Sequence, residues 1–210
     1  MKELFRKINR IYHSHDIDFY CSLLGPLIMG TIHLVSVLMH FDWITLNYCV
    51  FSYLLVLFKI WQLAIEKYSL KPSYYVAAII MLVIILAPMM ASFVLTIRYA
   101  DNPIYIFDWM VYLYATYGTI KMVFAVRSRV KSKGESQRSY VLSWISLISA
   151  LYTIMMMEFK LIMFVEEGIV SNEMNLMMLF SQGAIFLFTL FVLGLFIYKC
   201  FKENKKSLAK

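Results

Sequence analysis

The stretch YTIMMMEFKLIMFV, Tyr152 to Val165, sets a carboxylate and an amine two residues apart, Glu158 and Lys160, in an otherwise apolar run. Ionisable groups within membrane segments are costly and commonly mark ligand or ion sites. Depth decides what they can do. A helix starting near Ser139, just after Arg138, reaches Glu158 after about 28 Å, nearly a full hydrocarbon thickness. Glu158 and Lys160 are therefore expected at the far boundary, among head groups. Asp108 lies the same distance before Arg127, beside Trp109, and belongs at that boundary too. Asp108 and Glu158 are candidates for the rim of a ligand cavity.

Three groups lie deeper. His33 is mid-segment, with His40 seven residues on, and its protonation can change near neutral pH. A neutral histidine bonding a neighbouring helix is the plainer reading, and a proton or metal role the sharper one. Lys59 and Lys121 stand about 9–10 Å from the polar ends Glu66 and Arg127, within reach of a snorkelling stem. Alternatively both face inward as a basic patch, with Tyr114 and Tyr117 on the Lys121 face, able to hold an anionic group. Gln182 adds a polar group inside the last apolar run. Facing His33 and the methionines of the outer half, which include Met39, Met89, Met110, Met155, Met156, Met157, Met174, Met177 and Met178, it would make a soft-walled pocket. Acidic residues at its mouth would favour an apolar or cationic ligand over an anion. Thioethers with His33 or His40 could take Cu(I), but methionine as adaptable filler suffices, so no metal or other cofactor is assigned.

Other patterns point to packing. Ser139, Ser143, Ser146 and Ala150 form a small-residue face that suits close helix contact, with a partner protein or a second copy as one use. No G-x-S-x-G, HExxH or nucleotide-binding loop occurs. Cys21, Cys49 and Cys200 are odd in number and widely spaced, which argues against a disulfide framework or thiolate metal site.

These residues must be positioned by membrane helices. The 210-residue chain is 61% hydrophobic and 16% charged, far from the ~25% charged of soluble domains, and its mean hydropathy is +0.70. Continuous apolar runs favour helices over barrel strands. They predict an all-α, polytopic, single-domain bundle with spans at 19–40, 43–65, 74–97, 103–126, 139–165 and 174–198. Lysine and arginine gather in the N-terminal segment, in the loops around 67–71 and 127–138, and in the tail, whereas the alternate loops hold Asp42, Asp101, Glu166, Glu167 and Glu173. By the positive-inside rule both termini are cytoplasmic, and the net charge of +7 follows from topology without nucleic acid. The first segment lacks a cleavage pattern and reads as retained. Pro88 falls deep in the third span and should kink it. FKIWQLAIEKYSLK and TIKMVFAVRSRVKSK, each followed by a similar start (SYYVAAI, SYVLSWI), suggest parallel hairpin repeats over 43–97 and 103–165.

The segment YLYATYGTIKMVFAVRSRVKSKGESQRSYVLSWISLISALYTI, Tyr112 to Ile154, resembles a group of small bacterial six-span membrane proteins. The resemblance implies that fold and a bacterial inner membrane, and no activity. The leading expectation is a non-enzymatic membrane protein that binds or transports a small apolar or cationic ligand through an outward-opening cavity. The rival is an accessory, sensor or immunity-type subunit acting through helix contacts. A lipid-directed enzyme comes last, for want of a catalytic constellation.

Overall fold

In the structure, a computed structural model, the described residues are 15–67, 74–98, 108–132, 137–165 and 172–208. They form six helices and no strand: α1 His15–Met39, α2 Trp43–Lys67, α3 Tyr74–Arg98, α4 Asp108–Lys131, α5 Gln137–Val165 and α6 Asn172–Leu208. The elements match the apolar runs. The chief differences lie at α4, shifted about five residues along the chain, and at α6, which runs on through the basic tail to Leu208.

Four helices contain segments long and apolar enough to cross a membrane: Trp43–Trp61, Tyr74–Arg98, Ser139–Ile162 and Asn175–Lys202. They point to a membrane-embedded protein. The other two of the six helices do not meet that measure among the described residues. The apolar part of α1 is the shorter Leu23–Met39, and α4 does not qualify. The reason is composition: Tyr112, Tyr114, Thr116, Tyr117, Thr119 and Lys121 crowd its middle.

The helices alternate in direction. Ser132, just past α4, meets Ser143 early in α5, while Lys160 late in α5 meets Thr45 and Tyr114, early in α2 and α4. Thr96 late in α3 meets Gln182 early in α6. One end of the bundle therefore carries the 40–42 turn, and the opposite, basic end carries Arg127, Arg129 and Lys199 with the start of α1 and the end of α6. The closest pairings are α4 with α5, α1 with α2, and α3 with α6. At the centre are α2 and α5. Of the α5 residues whose exposure is described, Glu158 alone is exposed. Large apolar side chains such as Leu38, Leu57, Val83, Val123 and Leu187 face outward from the other helices, as lipid contact requires.

The main core joins α2, α3, α5 and α6 through Phe51, Leu82, Ile85, Ile148, Tyr152, Val192 and Phe196. Polar side chains pin the cores together. Asp42 caps α2, its Oδ1 accepting from the Thr45 amide at 2.6 Å. Asn47 donates to the Pro88 carbonyl at 2.9 Å and to the Tyr152 hydroxyl at 3.3 Å. α3 runs through Pro88 as one helix. On α1, Gly25 lies against the Tyr117 ring and Gly30 against Ser52 and Tyr53, so that α1 seats closely on α2 and α4.

Candidate functional site

Near the 40–42 end, four helices bring a cation, an imidazole and a phenol together in the interior. Lys160 of α5 is only 3% exposed, although five residues from the end of its helix. Its Nζ donates to Thr45 Oγ1 of α2 at 3.0 Å and to the Tyr114 hydroxyl of α4 at 3.3 Å, and lies 4.8 Å from the Tyr114 ring centroid. The Tyr114 hydroxyl is 2.9 Å from His33 Nδ1 of α1. The His33 ring stacks on Tyr114 at 5.1 Å and meets the edge of Tyr48 at 4.4 Å. Thr153, Met156 and Met157 complete the wall, and the space enclosed is too small for a water molecule.

An ammonium only donates, so Tyr114 accepts from Lys160; with His33 in the tautomer whose Nδ1 accepts, Tyr114 passes its own hydrogen on to it. The imidazole proton then sits on Nε2, which is buried and has no partner. The third Lys160 proton has no acceptor among the described residues. Asp42 acts on the ammonium at longer range, its Oδ1 being occupied by the α2 cap. The cluster is thus rich in donors and short of acceptors. A buried cation without a paired carboxylate is costly, and a ligand bearing acceptor oxygens would offset that cost.

A second cation joins the tract two turns deeper, about 10 Å along α5. Lys121 donates to Thr153 Oγ1 at 2.8 Å and lies 5.4 Å from the Tyr117 ring centroid, and Thr153 passes its own bond to the Ser149 carbonyl at 2.7 Å. Lys121 therefore faces the bundle and does not snorkel to the basic end. Lys59 is close enough to act on it electrostatically.

His33, Tyr117 and Lys121 thus belong to one polar tract with Tyr114. Gln182 does not, since its Nε2 donates to Thr96 Oγ1 at 2.7 Å, between α6 and α3. The expected pocket of His33, Gln182 and methionines is corrected to one of His33, Lys160, Met156 and Met157. Glu158 is exposed. Asp108 opens α4, but its side chain lies outside the described residues, as do Asp101, Glu166 and Glu167. Of the small-residue face, Ser143 and Ala150 have no exposed surface, with Ser143 bonded to Ser132 at 2.9 Å, whereas Ser139 and Ser146 are half-exposed. Lys160, placed at the boundary by its distance along α5, is the residue sequence reasoning missed. Its signal was angular: at 100° per residue it shares a face with Met156 and Thr153, while Glu158 lies 200° away.

These features define an all-helical, membrane-embedded bundle with a dry basic cluster inside one end. No family model, curated protein sequence or solved structure matches the chain.

Proposed function

We propose that this chain is an integral membrane protein that binds or transports a small anionic ligand at Lys160 and His33. The observation that carries the reading is the buried Lys160 ammonium, which no carboxylate pairs with among the described residues, beside a His33 Nε2 that is buried without a hydrogen-bond partner. Burial of Lys160 reverses the sign of the ligand expected from the acidic loops, because an interior ammonium repels a cation more strongly than distant surface carboxylates attract it. Met157 is the movable part of the wall, an unbranched side chain whose sulfur rests against Gly118. Cytoplasmic termini are what this reading takes from the charge distribution, and the plasma membrane of a bacterium is what it takes from the resemblance of residues 112–154.

Thermal unfolding of the detergent-solubilised protein tests the ligand class, with acetate, benzoate and inorganic phosphate as anionic probes and tetraethylammonium as the cationic one. Anions are expected to raise Tm in the wild type and not in Lys160→Met. Stabilisation by the cation, or by anions equally in both proteins, would overturn the reading. A second reading, an accessory or sensor subunit, is favoured by the closed packing around His33. It becomes the better account if no probe stabilises the wild type.

A further inference from the structure

At the basic end, four helices converge on one tyrosine. The Arg129 guanidinium of α4 stands 4.9 Å from the ring centroid of Tyr140 and 4.1 Å from that of Trp144, both on α5. Lys199 of α6 reaches the same Tyr140 ring at 3.5 Å and the Tyr75 ring of α3 at 5.9 Å. Arg129 is steadied by a bond from Nη1 to Ser132 Oγ at 3.2 Å, and that hydroxyl is buried against Ser143. Two cations are therefore held by aromatic faces around one ring, and among the residues whose side chains are described no carboxylate pairs with either. Both are half-exposed, and α6 carries the outward-facing apolar side chains Tyr198 and Phe201 within two residues of Lys199 along the chain.

We propose that Arg129, Lys199 and Tyr140 form a binding site for the phosphate of an anionic phospholipid head group. The charges are opposite in sign, and the two free oxygens of a singly charged phosphodiester can accept from a guanidinium and an ammonium at once, which lowers the repulsion between the cations. The position fits a lipid better than a free anion. The cations stand where α6 leaves its apolar segment, which ends at Lys202, so acyl chains would lie along the exposed apolar face of α6 while the head group meets the cations. Tyr140 keeps the two side chains apart and aimed, which a mobile surface lysine would not be.

Native mass spectrometry tests the site. Wild-type protein is taken from mixed micelles containing equal phosphatidylglycerol and phosphatidylcholine, and the double variant Arg129→Gln/Lys199→Gln is treated alike. The wild type should retain phosphatidylglycerol at least fivefold over phosphatidylcholine, and the double variant should retain both equally. Lys202→Gln, one helical step from Lys199, should keep the preference. Inorganic phosphate at millimolar concentration should not displace the bound lipid. Equal retention of the two lipids by the wild type overturns the proposal, whether or not the double variant folds. So does an unchanged preference in the double variant, an equal loss with Lys202→Gln, or displacement by free phosphate.

Discussion

At the residue scale, the fate of Lys160 turns on the hydrogen bonds that hold it. A lysine costs about 2.5–3.5 kcal/mol at the centre of a membrane helix by insertion scales and less toward its end, where Lys160 lies. The two hydrogen bonds its ammonium donates return part of this. Lys160→Met keeps the stem and removes the charge, so the variant is expected to match or exceed the wild-type Tm, with its anion response gone. A Tm drop of more than about 10 °C would mean the ammonium is a structural keystone and not a ligand group. Tyr114→Phe acts oppositely. It strips the hydroxyl between Lys160 and His33, leaving Nδ1 and one ammonium proton unmatched, and should destabilise by about 1–3 kcal/mol. Denaturant titration of both variants in the same detergent separates the two effects. Glu158 and Lys160 also mark what the sequence could tell. Distance along the helix put both near one end, and both are there. Which of them turns inward was legible only from the helical angle. That the inward one meets Thr45 and Tyr114 depends on how α2 and α4 pack, which no spacing within α5 encodes.

At the element scale, the glycines sort by what stands opposite them. A Cβ at Gly25 would come within 3.0 Å of Tyr117 Cε2 and one at Gly30 within 3.3 Å of Ser52 Cβ. Gly25→Leu is accordingly expected to pry α1 from α4 and lower Tm sharply, while Gly25→Ala asks only for a small shift of the Tyr117 ring. Gly183 and Gly194 on α6 face open space within 4 Å. Alanine at both should hold or raise stability, by up to about 1 kcal/mol each from helix propensity. Should Gly194→Ala be as damaging as Gly25→Leu, α6 must be covered by another protein. The boundaries of α2, α3 and α5 were readable because uninterrupted apolar runs ended at charges or, for α2, at a cap. α4 was harder. Tyr114 and Lys121 find their partners on α1 and α5, a tertiary fact that the apolar run length does not carry.

At the scale of the whole molecule, charge asymmetry predicts orientation. Lys131 is exposed at the basic end and Met39 at the other. In a background with the three native cysteines replaced, a membrane-impermeant thiol reagent on intact cells should label Met39→Cys and spare Lys131→Cys. The reverse pattern would place the termini outside and would put the Arg129–Lys199 site in the outer leaflet. The alternation of helices, the single bundle and its basic end were foreseeable from apolar run lengths and lysine placement. The pairing of α3 with α6 was not, since neighbours in sequence are the default partners and here the chain passes over them.

That pairing has a consequence in time. Ribosomal synthesis at ~5–20 residues per second puts about 5–20 s between the completion of α3 and that of α6. α1 with α2, and α4 with α5, can each assemble as they emerge, but α3 must wait for its main partner. It is also the most apolar of the four membrane-crossing segments, with a mean hydropathy of 2.7. A helix so composed can stay in lipid alone without exposing polar groups, whereas α4, with its tyrosines and Lys121, cannot. The order of helices along the chain thus assigns the long wait to the helix best able to bear it, and the nascent bundle stays open on its α3 side until the final helix arrives to shut it.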